Sequence, residues 1–210
     1  QWMYSIASDL LGAIVEKTTN TSLQAYMSAH IFEPLDMHDT HFMVPAEDKD
    51  RLVDMYDFDD RELSFSEYGH KSEYLEPAGL QSGGSGLVST AQDYMKFLSM
   101  MLNRGQGNGQ QVLSAKSVEL MTQSHTAGLD QWFLPRLYPG AEFGYGFGVQ
   151  VEATEYRAKG SYFWAGRGGT SFWVDPQRNL AVVSMIQLEE GWKLVDDWLQ
   201  KAVIEHLEQQ

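Results

Sequence analysis

Cysteine is missing from all 210 residues. That excludes disulfides and a thiolate nucleophile, and it leaves the redox compartment open. Basic residues are scarce: 15 Lys and Arg stand against 29 Asp and Glu, for a formal net charge of −14 and a pI near 4.7. Nucleic acids and anionic membrane surfaces are recognised by Lys/Arg-rich patches, so neither is expected as a partner. Long apolar runs are also lacking. The longest, around Leu180–Ile186, is strand-sized, well short of the roughly 18 residues that a membrane helix needs. No serine is followed by a lysine three positions later. Ser85 lies in a glycine-rich stretch but without a Gly-x-Ser-x-Gly frame, so a nucleophile elbow is not supported either.

What is present suits one large domain: 43% of the residues are hydrophobic, enough to bury a substantial core. The first part is helical in pattern. Ile6, Leu10, Leu11, Ala13, Ile14 and Val15 form a broad apolar face, and Asn20 suits the left-handed position that ends a helix. Thr21 with Gln24 reads as a capping box for a second helix that Pro34 stops. Residues 36–75 read as irregular, with Asp48, Asp50, Asp54, Asp57, Asp59, Asp60 and Glu62 crowded together as a solvated acidic face. After the glycine-rich loop Gly79–Gly86, Ser89 or Thr90 caps a third helix facing inward through Tyr94, Phe97, Leu98 and Met101, with Gly105 closing it; a shorter helix runs from Ser114 to Met121.

The period then changes. Phe143, Tyr145, Phe147, Val149 and Val151 alternate with small or polar residues, which predicts one half-buried strand. Tyr162–Trp164, Thr170–Val174 and Leu180–Ile186 predict three more, the last entered through an Asp175–Asn179 turn. A tail helix from Trp192 to Leu207 would face inward through Leu194, Val195, Trp198, Leu199, Ala202 and Val203. The expectation is an α+β fold: a mainly helical region with long loops over 1–140, then an antiparallel sheet with a C-terminal helix over 141–210.

Few residues stand out for chemistry. Tyr4, just before a helix start, is either an ordinary packed aromatic or a hydroxyl held for proton transfer, the latter requiring cations to lower its pKa from about 10. Trp164-Ala165-Gly166-Arg167-Gly168-Gly169 is either a glycine-rich hairpin turn or a strand edge whose N–H groups polarise a carbonyl oxygen. Trp132, Phe133, Leu134 and Tyr138 either line a substrate pocket or cover the core. His38 and His41 with Asp36 and Asp39 offer too few convincingly spaced ligands for a metal, and no metal or other cofactor is expected.

Taken in order, Tyr4-Ser5-Ile6, Ile31-Phe32-Glu33-Pro34-Leu35-Asp36-Met37, Ser82-Gly83-Gly84-Ser85-Gly86-Leu87-Val88-Ser89-Thr90 and Trp164-Ala165-Gly166 resemble the β-lactamase and penicillin-binding-protein superfamily of serine hydrolases, and within it the class C-like branch that includes esterases. The resemblance spans nearly the whole chain. It implies that Tyr4 is the proton-relay tyrosine, that Trp164-Ala165-Gly166 occupies the Lys-Thr-Gly strand, and that the Arg167 backbone N–H serves the oxyanion hole. Ile6 replaces the asparagine that helps to bind β-lactams and Trp164 replaces the lysine, both leaning toward ester substrates. Asp36 replaces a usual glycine.

The Ser-x-x-Lys segment is then expected ahead of Gln1, and a start at Gln-Trp-Met-Tyr without an initiator Met fits a truncation. The expected partners are a small ester or amide substrate, the N-terminal half of the same protein, and further copies of this chain through exposed apolar surface. The alternative is a non-catalytic binding or scaffold homologue, and the compartment stays open between periplasm and cytoplasm. The 210-residue chain alone should form no acyl-enzyme. Intact-mass measurement after treatment with a fluorophosphonate should show unmodified protein; a stoichiometric adduct on any of its serines would contradict this.

Overall fold

The computed structural model describes residues 1–59, 62–66, 71–77, 79–131 and 133–209. Helix α1 (Ala7–Thr19) ends at Asn20, whose φ of +56° is the left-handed turn expected of it. Ser22, one residue later than predicted, caps α2 (Leu23–Met27) by accepting from the Ala25 N–H at 3.2 Å. A π-turn (Ser28–Phe32) leads into the short α3 (Glu33–Leu35). Pro34 therefore does not stop the helix. It sits in the last turn, whose register the π-turn has already shifted, and the chain breaks at Asp36 with φ +61°.

The 36–75 segment is more ordered than predicted. A 3₁₀ turn (Ala46–Arg51) precedes a β-hairpin of β1 (Tyr56–Asp59) and β2 (Glu62–Phe65), followed by α4 (Lys71–Leu75). Acidic residues on one face of the hairpin hid the alternation of Tyr56, Phe58, Leu63 and Phe65 on the other. Helix α5 (Ala91–Leu102) is capped by Thr90, which accepts from Asp93 N–H at 3.2 Å, and Gly105 N–H closes it on the Met100 carbonyl at 2.8 Å. The small hairpin β3 (Gln106–Gly107) and β4 (Gln110–Gln111) leads to α6 (Ala115–Met121) and α7 (Leu134–Leu137).

The main sheet has five antiparallel strands in chain order: β5 (Ala141–Phe143), β6 (Gly148–Gln150), β7 (Tyr162–Ala165), β8 (Ser171–Asp175) and β9 (Leu180–Ser184). The single strand predicted over 143–151 is two, because Gly144 N–H turns back to the Phe147 carbonyl at 2.8 Å and closes a hairpin. Asp175 fixes the β8–β9 turn by accepting from the Gln177 N–H at 2.9 Å and from the Arg178 guanidinium at 2.6 Å.

Alternation along β7 and β8 divides the core between the two sheet faces. Tyr162, Phe172 and Val174 pack with Leu98 and Met101 of α5 and with Leu35. Phe163 and Trp173 pack on the opposite face with Leu134 and Tyr138, backed by α8 (Trp192–Glu208). The α8 face agrees with that predicted at Leu199 and Val203, which pack on the Phe163 and Trp173 side of the core, and differs elsewhere. Asp196, Gln200 and Ile204 are buried, while Leu194 and Trp198 point outward, Trp198 being 68% exposed. Ser171 on β8 gives the buried Asp196 carboxyl a partner, its hydroxyl donating at 2.5 Å.

The α1 face read from the sequence is apolar but uncovered. Leu10, Leu11 and Ile14 are exposed, Leu11 by 62%, and only Gly12 is buried. Contiguous exposed apolar surface drives association. The chain should therefore self-associate with concentration in sedimentation velocity. Leu11→Glu with Ile14→Glu should weaken that association while shifting unfolding stability by no more than about 0.5 kcal/mol, the usual scale for open surface sites. A wild-type chain that stays monomeric at all concentrations would contradict the reading.

Candidate active site

Tyr4 stands one turn ahead of α1, in a segment tied down by Trp2 N–H, which donates to the Asp130 carbonyl at 2.9 Å. Its ring stacks on Phe133 at 5.9 Å and 13°, and meets Trp164 at 5.2 Å and Phe143 edge-on at 6.4 Å. Trp2 closes the group by packing on Phe143 at 4.8 Å. Offset and edge-to-face contacts of this kind fix ring orientation beyond what burial alone does. Tyr4 is nonetheless 51% exposed, so the aromatic box holds the ring and leaves it accessible.

Of the residues singled out from the sequence, Tyr4, Phe133 and Trp164 are thus brought into one cluster. Leu134 and Tyr138 belong to the core instead. Ile6 is at the α1 N-terminus and is 78% exposed. Trp132 lies outside the described residues. Phe143 and Trp2 were missed; the Phe-Gly-Tyr-Gly-Phe-Gly run that hid a hairpin also hid Phe143 at its edge.

Trp164 and Ala165 form the end of β7. They pair with Phe172 and Ser171 of β8, but the described ladder to β6 covers only Tyr162 and Phe163. Beyond β7 the chain turns tightly: Gly166 N–H donates to the Thr170 carbonyl at 2.8 Å and Gly169 N–H to the Gly166 carbonyl at 3.0 Å. Gly169 is required there. Its φ is +97°, and a Cβ would lie 2.3 Å from the Leu188 carbonyl oxygen. Arg167 sits at the turn, its guanidinium on Glu189 with Nε donating to Oε1 at 2.5 Å. The segment is a glycine-rich turn, as one of the two readings had it, and it stands at the end of a strand that adjoins Tyr4.

The glycine-rich loop forms a second support. Ser82 donates to Asp9 in the first turn of α1, Ser85 N–H donates to Ser82 Oγ at 2.9 Å, and a Cβ on Gly83 would fall 2.1 Å from the Ser8 carbonyl oxygen. The loop backbone therefore lies directly on the helix that Tyr4 precedes. His38 pairs with Asp36 at 2.6 Å and Asp39 with Arg51, and among the described residues no three His, Asp or Glu side chains converge as metal ligands.

Asp57 on β1 hydrogen-bonds Glu189. Burial first, and Glu189 second, push the Asp57 carboxyl above the ordinary aspartate range, while the Arg167 hydrogen bond holds Glu189 below its own. A carboxyl whose pKa is raised by folding costs stability when ionised, so that cost is absent in acid and appears as pH rises through the folded value. Asp57→Asn should raise the Tm at about pH 7 and leave it nearly unchanged at about pH 3. An equal shift at both values in thermal melts would contradict this assignment.

The sequence matches the family described as Beta-lactamase over residues 1–205. An uncharacterized Mycobacterium tuberculosis protein is 32% identical over 197 residues, covering 88% of this chain and 48% of its own length. The lovastatin esterase of Penicillium rubens is 28% identical over 204 residues, covering 89% and 50%. Among solved structures, EstCE1, described as a hydrolase with promiscuous acyltransferase activity, is 25% identical with a TM-score of 0.76, covering 90% of this chain and 52% of its own. The chain spans about half the length of the curated relatives it matches. By the match over 205 of its 210 residues, and with the helices, antiparallel sheet and terminal helix of that fold, this chain belongs to the Beta-lactamase family.

Proposed function

We propose that this chain supplies the proton-relay and oxyanion side of a serine hydrolase that cleaves esters through an acyl-enzyme, its nucleophilic serine and lysine being carried by a segment outside these 210 residues. The observation that carries the reading is the approach of Tyr4 to Trp164, 5.2 Å between ring centres, which joins the start of α1 to the end of β7. In such a reaction the serine hydroxyl adds to the ester carbonyl and the tetrahedral oxyanion takes a hydrogen bond from the Arg167 N–H. The alkoxide leaves with a proton passed through Tyr4, and water then releases the acid from the acyl-serine.

The ester preference rests on two kinds of support. The box around Tyr4 is aromatic, and Ile6 and Trp164 provide no amide or ammonium group for a β-lactam carboxylate. Two relatives are an esterase and a hydrolase with acyltransferase activity, which extends the reading to acyl transfer when an alcohol replaces water.

The test is an acyl-enzyme assay on the longer protein. With a p-nitrophenyl ester, rapid-quench mass spectrometry should trap one acyl adduct per chain. Tyr4→Phe should lower kcat by roughly 10²- to 10⁴-fold, the range for losing a positioned acid–base group. Full activity in Tyr4→Phe would remove the tyrosine from the mechanism. A longer protein that forms no acyl adduct would favour a non-catalytic homologue.

A further inference from the structure

We propose that Glu189 is a positioning residue for the oxyanion-binding peptide at Arg167, an inference that rests on the serine-hydrolase reading above. The peptide in question runs through Gly166-Arg167-Gly168-Gly169, and glycine on both sides gives the backbone wide conformational freedom. A donor that must meet developing negative charge is effective only if it is already in place, because reorganising it during reaction consumes the benefit. This segment therefore needs an outside clamp.

The clamp is visible on both sides of Arg167. Its guanidinium donates through Nε to Glu189 Oε1 at 2.5 Å, with a second nitrogen on the same carboxylate. Its carbonyl accepts from the Glu190 N–H at 2.6 Å. Consecutive residues thus hold one side chain and one main-chain oxygen of the same arginine. Arg167 itself is 62% exposed along its side chain, whereas that of Glu189 is 18% exposed, so the arginine reaches inward to an anchored carboxylate.

Glu189 is anchored from the other direction by the hairpin. Its N–H donates to the Tyr56 carbonyl at 2.8 Å, and Tyr56 N–H donates to the Gln187 carbonyl at 3.1 Å. Ser66, 3% exposed, donates through Oγ to Glu189 Oε2 at 3.2 Å, and Asp57 bonds the same carboxylate. One oxygen therefore serves Arg167 and the other is held by Ser66. Through these bonds the hairpin acts as the mount for the carboxylate that fixes the turn after β7.

The Arg167 side chain is largely exposed, so its ion pair itself contributes little to stability, and its removal should be read in rate. In the longer protein, Glu189→Ala should lower kcat for a p-nitrophenyl ester by about tenfold to a hundredfold, the scale of a misplaced catalytic group, with KM nearly unchanged. Affinity for a boronic acid that mimics the tetrahedral intermediate should fall in parallel. Glu189→Gln, which can still accept from Arg167 Nε, should recover most of the rate. Arg167→Ala should lose as much as Glu189→Ala, and the double variant no more than either. Wild-type kcat in Glu189→Ala, or a loss confined to KM, would overturn the positioning role while leaving the hydrolase reading intact provided that Tyr4→Phe is impaired. No acyl-enzyme in the wild type would overturn both.

Discussion

The unequal pairing of β7 sets the edge at which the candidate site stands. Four residues of the strand are laddered to β8, but the described ladder to β6 covers only two, and the last pair, Trp164 and Ala165, runs on beyond it. The rest of the architecture keeps that extension straight. Phe172 and Val174 on one face of β8 and Trp173 on the other are buried by different helices, so the neighbouring strand cannot twist away without opening the core on one side. Tyr4 then packs on Trp164, and the start of α1 is brought to the end of the sheet.

Around that edge the sequence uses close backbone approach more than charge. Gly83 lies against the Ser8 carbonyl and Gly169 against the Leu188 carbonyl, at separations that exclude any side chain. The first contact seats the glycine-rich loop on α1, and the second packs the turn after β7 against the segment that carries Glu189. Some of the acidic side chains lie elsewhere, Glu47, Asp48 and Asp50 in the 3₁₀ turn and Asp59 and Glu62 on the hairpin. Near the edge a carboxylate does meet a cation, where Arg167 donates to Glu189.

Much of this was legible in the residues. Asn20, Thr90, Ser114 and Asp175 announced their turns and caps, because local hydrogen bonding decides those positions with little tertiary help. The family order of motifs placed Tyr4 and Trp164 in one site, and the structure brings them together. Long-range effects defeated the reading elsewhere. Alternation over Phe143–Val151 fits one strand or a hairpin equally well, and only the closure of Gly144 on Phe147 decides between them. The α8 face was assigned by hydrophobicity, and Leu199 and Val203 do face inward, yet Asp196 is buried on the Ser171 hydroxyl while Trp198 faces out. Glu189 carries no sequence signal: its partners are Arg167, Ser66 and Asp57, all distant along the chain.

The central claim is spatial: a tetrahedral oxyanion at the reacting serine meets the Arg167 N–H while Tyr4 faces the leaving oxygen. A crystal structure of the longer protein carrying a phosphonate on its nucleophilic serine tests this most directly. The account predicts a phosphoryl oxygen within about 2.7–3.1 Å of the Arg167 nitrogen, the usual reach of an oxyanion donor, with the Tyr4 hydroxyl in hydrogen-bond contact with the serine oxygen or the leaving-group site. A phosphonate whose oxygens all turn away from the β7 edge, with Tyr4 out of reach, would contradict it.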